Sequence, residues 1–239
     1  MIRRVPEPVR AKFYGCGAPL PLGIEGLRVL DLGSGSGRDC YVCAALVGER
    51  GSVTGIDMTE EQLATAREHV DEWTRALGYR EPNMRFIRGE IEYLDRAGIA
   101  DASVDLVISN CVINLSPDKP RVLREAYRVL ADGGELYFSD VYCDRRLPDA
   151  VRKDKVLWGD CIAGAMYAED FRCVSGSLCI GQRVRVRRMP WDPGAAASVP
   201  LARPPRPQEG SSARRVHGPS RTELGPHRRV GSGDQGRGG

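Results

Sequence analysis

Two sets of residues in this chain could do chemistry. The first is the stretch LDLGSGSGRD, Leu30 to Asp39, where Gly33, Gly35 and Gly37 follow a short apolar run and Asp31 stands just before them. Glycines there let the backbone turn sharply and approach a ligand where a Cβ would clash. Backbone N–H groups at the start of the helix that follows favour an anionic or polar ligand group. Asp57 closes a second apolar run, Val53 to Ile56, about twenty residues on, where the acid of such strand–helix–strand units meets a ribose hydroxyl. A nucleotide-type cofactor is the first expectation. The second set is eight cysteines, at 16, 40, 43, 111, 143, 161, 173 and 179, against a single histidine, His69, before the arginine-rich C-terminal stretch.

The elements that must position these groups alternate. Leu27 to Leu32 reads as a buried parallel strand and Arg38 to Val47 as a helix; Val53 to Asp57 is the second strand. Thr59 with Gln62 spells a capping box, and Leu63, Ala66, Val70, Trp73 and Leu77 keep helical spacing up to Gly78. One helix is expected there. Met84 to Ile87 and Val104 to Ser109 read as strands, Ser116-Pro117 as a helix start, and Glu135 to Ser139 as a fifth strand after Asp132-Gly133-Gly134. Strict alternation predicts an α/β fold with a doubly wound, mostly parallel sheet and right-handed crossovers. Ligands in such sheets bind beyond the carboxyl ends of the strands. The glycine loop, Asp57, residues 90–92, residues 110–115 and Asp140 all fall there and should share one cleft.

Composition narrows the class. The 239 residues suffice for one domain with a sizeable core, or one domain and a tail. No run of about eighteen apolar residues exists, so no membrane span is expected. MIRRVPEPVR lacks the apolar segment of a secretory signal, so a cytoplasmic location with reduced thiols is expected. The cysteines then read as buried small residues or soft-metal ligands, not as a disulfide set. The net charge of +3 hides twelve arginines against four acids from Arg183 onward, which leaves the preceding body with 23 basic and 28 acidic residues. Such an acidic body is not expected to bind nucleic acid.

A glycine loop with an acid fits nicotinamide, flavin and S-adenosylmethionine enzymes alike. Here the spacing is G-x-G-x-G, not the dinucleotide G-x-G-x-x-G, and Asp31 precedes it. A pyrophosphate disfavours an acid beside its loop, whereas the methionyl ammonium of S-adenosylmethionine tolerates one. Spacing and acid together favour a methyltransferase.

DLGSGSGRDCYV, VTGIDMT, SNCVINL, LREAYRVLADGGELYFSDVY and KVLWGDCIAGAMY together resemble the arsenite S-adenosylmethionine methyltransferases, and FYGCG upstream looks like that family's first arsenic–cysteine segment. The resemblance covers about Arg10 to Phe171. Its first motif is shared by many methyltransferases; SNCVINL and WGDCIAGAMY are far more specific. It implies S-adenosyl-L-methionine as cofactor and methyl transfer to trivalent arsenic. Carried over by position, Gly33, Ser34 and Gly35 lie against the methionyl part, Asp57 binds the ribose hydroxyls and Met58 packs on adenine. Ile91 and Glu92 border the adenine, and Asn110 and Val112 line the methionine end. Cys16 and Cys161 match two arsenic-binding cysteines. The implied partners are arsenite or its thiol conjugates and a thiol reductant such as thioredoxin or glutathione, with no nucleic acid and no membrane.

Thiolates suit this substrate because soft ligands select soft centres. Two or three of them would aim the arsenic lone pair at the sulfonium methyl, and the protein would supply positioning and exclusion of water. No general base is needed, since the lone pair carries no proton. Cys40 and Cys43 form a C-x-x-C on the helix after the glycine loop and read as packing; Cys111 reads as a pocket wall. His69 reads as solvated, Trp73 as core, and Asp140 as a carboxylate capping a loop outside the site.

The resemblance divides the chain into an N-terminal arsenic-binding segment, 1–26, a methyltransferase domain, 27–171, and a divergent Arg/Pro/Gly-rich tail, 172–239. The tail cannot bury enough apolar surface to offset its ordering entropy and reads as disordered. Family members continue into further strands and another cysteine, and longer ones carry a preceding segment with its own; the tail instead resembles translation in a shifted frame, which resequencing around codon 172 would test. An open sheet edge and an unassigned third arsenic thiolate are expected, with Cys143, Cys173 and Cys179 as candidates. A methyltransferase of another small molecule, and a non-catalytic protein that binds cofactor or arsenic, are the alternatives.

Overall fold

Strand β1 (Arg28–Leu32) divides the core by its side-chain alternation. Val29 enters an apolar cluster with Val42, Leu63 and Trp73 on one sheet face, while Leu30 and Leu32 enter a second cluster with Val122, Leu123 and Phe171 on the other. The computed structural model describes residues 1–15, 17–159, 161–177 and 215–217. A short N-terminal helix, α1 (Glu7–Ala11), precedes β1, and α2 (Arg38–Val47) follows it. Next come β2 (Ser52–Asp57), α3 (Glu60–Glu68), α4 (Val70–Leu77), β3 (Met84–Arg88), β4 (Val104–Asn110), α5 (Lys119–Val129) and β5 (Leu130–Ser139).

The five strands run parallel in the order β3-β2-β1-β4-β5. Buried on both faces, they read as near-continuous apolar runs. The order reverses between β1 and β4, so the crevice at their carboxyl ends is the topological switch point. The expected doubly wound sheet is present. Beyond it, β6 (Tyr142–Cys143) pairs with β7 (Met166–Tyr167) in a separate two-stranded sheet, with α6 (Asp149–Arg152) and α7 (Lys155–Gly159) between them and α8 (Ala168–Ser177) after them. The 171/172 boundary of the expected tail therefore falls inside α8. Most of the tail lies outside the described residues, but β8 (Arg215–His217) pairs antiparallel with β5, opposite Tyr137 to Ser139, at the edge expected to stand open.

Four local expectations are corrected. The helix expected over 59–77 is two helices broken at His69 (φ −105°, ψ 6°). The buried Tyr41 hydroxyl donates to the Ala66 carbonyl at 2.8 Å, the acceptor that an unbroken helix would use four residues on. The capping box does not form, because the Thr59 N–H donates instead to Asp57 Oδ1 at 2.8 Å; a carboxylate is the stronger acceptor. The start of α5 is set by Asp118, whose side chain accepts the Arg121 N–H at 3.0 Å, two residues beyond the expected Ser116. His69 is not solvated: its Nε2 is buried without a partner, and its Nδ1 lies 3.4 Å from Glu72. Trp73 is core, 4 % exposed, with Nε1 donating to the Tyr41 carbonyl.

Candidate active site

The glycine loop leaves β1 with Gly33 and Gly35 both in the left-handed region, φ +66° and +54°. A Cβ on Gly33 would collide with the Val112 side chain, so the loop after β1 lies directly against the loop after β4. At Gly35 the space is open, with nothing within 4 Å of where a Cβ would stand. Asp57, at the end of β2, accepts the Gly35 N–H at 2.9 Å, and Ser34 donates its own N–H to the Ile56 carbonyl at 3.0 Å. The Ser34 hydroxyl is buried without a partner. A buried, unpaired donor beside an open, glycine-lined cradle is what a polar ligand would complete. These residues fit S-adenosylmethionine.

Beneath the loop, Asp31 is buried and accepts the Cys40 thiol at 3.2 Å. Burial, and then the nearby charge of Asp39, hold the Asp31 carboxyl well above its ordinary range, and burial does the same to the Cys40 thiol. The C-x-x-C pair thus serves packing, with Cys43 also buried in the helix face.

Asn110 ties the N-terminal segment to this cleft. Its Oδ1 accepts the Gly17 N–H at 3.0 Å, while its Nδ2 donates to the Gly17 carbonyl and to Asp39 Oδ2, both at 2.8 Å. Arg38 adds a bond to the same carbonyl at 3.2 Å, and its guanidinium lies 3.1 Å from the centroid of the Phe13 ring. Cys16 itself lies outside the described residues.

The adenine-side residues gather less tightly. Met58 is 67 % exposed and lines a surface pocket with Arg88, Glu90 and Tyr93. Ile91 belongs to the core cluster behind the sheet. The Glu92 carboxylate accepts the Ser116 hydroxyl, and its carbonyl accepts Arg121 Nε at 2.8 Å.

A second constellation stands at the ends of β4 and β5. Cys111 Sγ, a carboxylate oxygen of Asp140 and Cys161 Sγ all lie within 4.8 Å of one another, and all three residues are buried. Asp140 fixes the loop after β4, accepting the Asn114 N–H on one oxygen and its own Val141 N–H on the other, both at 2.9 Å. Burial raises its carboxyl to about 7, against those two amides and the charge of Lys119. The Cys161 thiol donates to the Cys111 carbonyl at 3.1 Å. The turn carrying Cys161 closes on this loop because residue 164 is glycine: a Cβ there would collide with the Asn114 carbonyl. Cys111 is disulfide-bonded, which departs from the expectation of reduced thiols without disulfides. Cys143 packs instead with Leu147 and Ala165, and Cys173 is exposed on α8.

Reading the sequence brought Asp140 and residues 110–115 to the cleft but left Asp140 out of the site, singled out neither Asn114 nor Gly164, and gave Cys111 only a wall. A signal was available: SNCVINL and WGDCIAGAMY are the most specific motifs of the chain, and they pack on each other. Among the described residues no helix is long and apolar enough to cross a membrane.

A parallel sheet of this order, with a glycine loop and a strand-end acid at its switch point, defines a methyltransferase domain. The family of that description, "Methyltransferase domain", matches residues 24–188. The chain is 57 % identical over 171 residues to an arsenite methyltransferase of Aquipseudomonas alcaligenes, covering 72 % of this chain and 49 % of that one. It is 55 % identical over 177 residues to that of Homo sapiens, covering 74 % and 47 %. The crystal structure of an arsenic(III) S-adenosylmethionine methyltransferase from Chlamydomonas reinhardtii superposes with a TM-score of 0.76 at 54 % identity, covering 90 % of this chain and 69 % of that one. The chain belongs to the arsenite methyltransferase family. It spans about half the length of the curated relatives it matches.

Proposed function

We propose that this chain transfers methyl groups from S-adenosylmethionine to trivalent arsenic held by cysteine thiolates, as part of arsenic detoxification. The observation that carries this reading is the buried Cys161 thiol, placed beyond the ends of β4 and β5 in the crevice that the glycine loop also enters. Bound S-adenosylmethionine would supply an electrophilic methyl, so that an As–C bond forms from the arsenic lone pair, the C–S bond breaks and S-adenosylhomocysteine departs.

The residues of the chain then divide the work. Gly33, Ser34, Gly35 and Asp57 hold the methionyl and ribose parts, while Met58, Ile91 and Glu92 flank the adenine side. Val112 presses on Gly33, and Asn110 holds the Gly17 segment across the methionine end, shielding it from water. Cys161, together with Cys16 carried over from the family resemblance, grips arsenic. Burial of the thiol, Asp140 and the surrounding loop excludes water from the transfer. A thiol reductant such as glutathione or thioredoxin, and a reducing cytoplasmic setting, go with this reading, because thiolates are the ligating species. The divergent segment from 172 onward is proposed as a tail outside the catalytic domain.

Incubating the full chain with arsenite, glutathione and methyl-labelled S-adenosylmethionine tests the proposal. Labelled methylarsenicals are expected, and an unlabelled arsenical pool at full cofactor binding would overturn it. Trp158, whose carbonyl accepts the Cys161 N–H at 3.0 Å, should report arsenite by fluorescence quenching that Cys161→Ser abolishes.

A further inference from the structure

The loop after β3 carries Glu92 on the adenine side of the cleft, and the loop after β4 carries Asn114 on the side that faces Cys161. The two meet at one buried hydroxyl. Ser116, 3 % exposed, donates its Oγ–H to the Glu92 carboxylate. We infer that Ser116 is a positioning residue that couples the adenine side of the cleft to the loop facing Cys161, so that seating the adenosine half of the cofactor orders the acceptor side. The inference rests on the cofactor placement proposed above.

Glu92 is gripped at both ends by one stretch of chain. Ser116 takes its carboxylate, and Arg121, in the first turn of α5, donates Nε to its carbonyl at 2.8 Å. The Arg121 guanidinium lies 4.2 Å from the centroid of the Tyr93 ring, and Tyr93 lines the same pocket as Met58. A shift on the adenine side is therefore felt at the start of α5.

Ser116 passes that shift on in three directions. Its Oγ accepts the Asp118 N–H at 3.1 Å, and Asp118 caps α5. Its carbonyl accepts Lys119 Nζ at 2.8 Å; the same ammonium lies 5.3 Å from the centroid of the Trp158 ring, and the Trp158 carbonyl accepts the Cys161 N–H. Its own N–H donates to the Ile113 carbonyl at 3.1 Å and closes the short turn Ile113–Leu115. Within that turn Asn114 donates its N–H to Asp140 and sets its carbonyl against Gly164. A carboxylate is a strong acceptor, and a buried hydroxyl that loses it has no water to replace it. Contiguous bonds of this kind between rigid elements are the physical means by which two sites influence each other, and the influence is reciprocal.

Adenosine is the probe, because it fills the adenine and ribose side and has no methionyl part to reach Cys161. The full chain is alkylated with iodoacetamide and the Cys161 peptide is followed by mass, with the exposed Cys173 as reagent control. Saturating adenosine should slow alkylation of Cys161 by about fivefold or more, the lower end of typical coupling between sites, and leave Cys173 unchanged. Ser116→Ala should still bind adenosine by calorimetry yet lose that protection, and Ser116→Thr, which keeps the hydroxyl, should restore it. Protection retained in Ser116→Ala, or absent from the wild type while adenosine binds, overturns the inference and leaves the cofactor placement standing. Failure of the wild-type chain to bind adenosine overturns both. Should Ser116→Ala not bind adenosine, amide exchange in the wild-type chain decides. Adenosine should then slow exchange at residues 113–118 as well as 90–93, and protection confined to 90–93 overturns the inference.

Discussion

The Asp57 carboxylate closes on the Gly35 amide at 2.9 Å, so the acid that ends β2 is already bound to the loop that ends β1. Its second oxygen accepts the Thr59 N–H and thereby starts α3. One side chain sets the loop, the helix start and the ribose end of the proposed cofactor site.

Asp57→Ala removes two charge-assisted hydrogen bonds along with the proposed ribose acceptor. Bonds to charged groups contribute about 1.5–3 kcal/mol each, so loss of one ribose contact should weaken S-adenosylhomocysteine binding roughly tenfold to a hundredfold. Isothermal titration calorimetry checks this. An unchanged dissociation constant would confine Asp57 to shaping the loop.

Two glycines of one motif should respond in opposite ways to alanine. At Gly164 the new methyl collides with the Asn114 carbonyl, whereas at Gly159 it meets nothing within 4 Å. Backbone against backbone cannot yield by a rotamer change, so Gly164→Ala should lose about 2–4 kcal/mol of stability, in the range of overpacked or strained cores. It should also part Cys111 from Cys161. Gly159→Ala should stay within about 0.5 kcal/mol of wild type. Urea unfolding compares them, and equal losses in both variants would contradict the close approach at Gly164.

The cradle was legible in the sequence because its signals are local. Glycines after an apolar run, and an acid about twenty residues on, lie within one strand–helix–strand unit. The same local reading failed at Thr59 and His69, where long-range groups intervene: Asp57 takes the N–H that a capping box needs, and Tyr41 takes a carbonyl that a continuous helix needs. The approach of Cys161 to Cys111 was less legible still. Cys111 and Cys161 are fifty residues apart, and their approach depends on a glycine whose partner is a backbone carbonyl, which leaves no pattern in residue types. Asp140 looked like an ordinary strand-end carboxylate; only its place between two cysteines sets it apart.

Asn110→Ala should loosen the N-terminal segment more than the sheet. Asn110 gives and receives hydrogen bonds with Gly17 on both sides of the peptide unit, and it also donates to Asp39. At about 1 kcal/mol net per bond, local opening around Gly17 should become on the order of ten to a hundred times more frequent. Amide hydrogen exchange at Gly17 reads this directly, while the β4 amides keep their protection. Unchanged exchange at Gly17 would mean that Arg38 and Phe13 suffice to hold the segment.

Asp31 should make the fold less stable as pH rises. Burial, followed by the Asp39 charge, raises its carboxyl well above the ordinary value of 3.8. The unfolded chain therefore gives up this proton first. From that value up to the raised folded one, the native state binds more protons than the unfolded state. Stability then falls with pH, by up to about 1.4 kcal/mol per unit for a single proton. The contribution is fully present below the unfolded value and gone once pH passes the folded one. Asp31→Asn keeps an oxygen to accept the Cys40 thiol but cannot ionise. Its unfolding free energy should run flatter than wild type as pH rises above the ordinary carboxylate value, and exceed it once the pH is well above that value. Parallel curves for the two proteins, measured by urea unfolding, would show that Asp31 keeps its ordinary acidity and that its charge is held within the fold by groups other than Cys40.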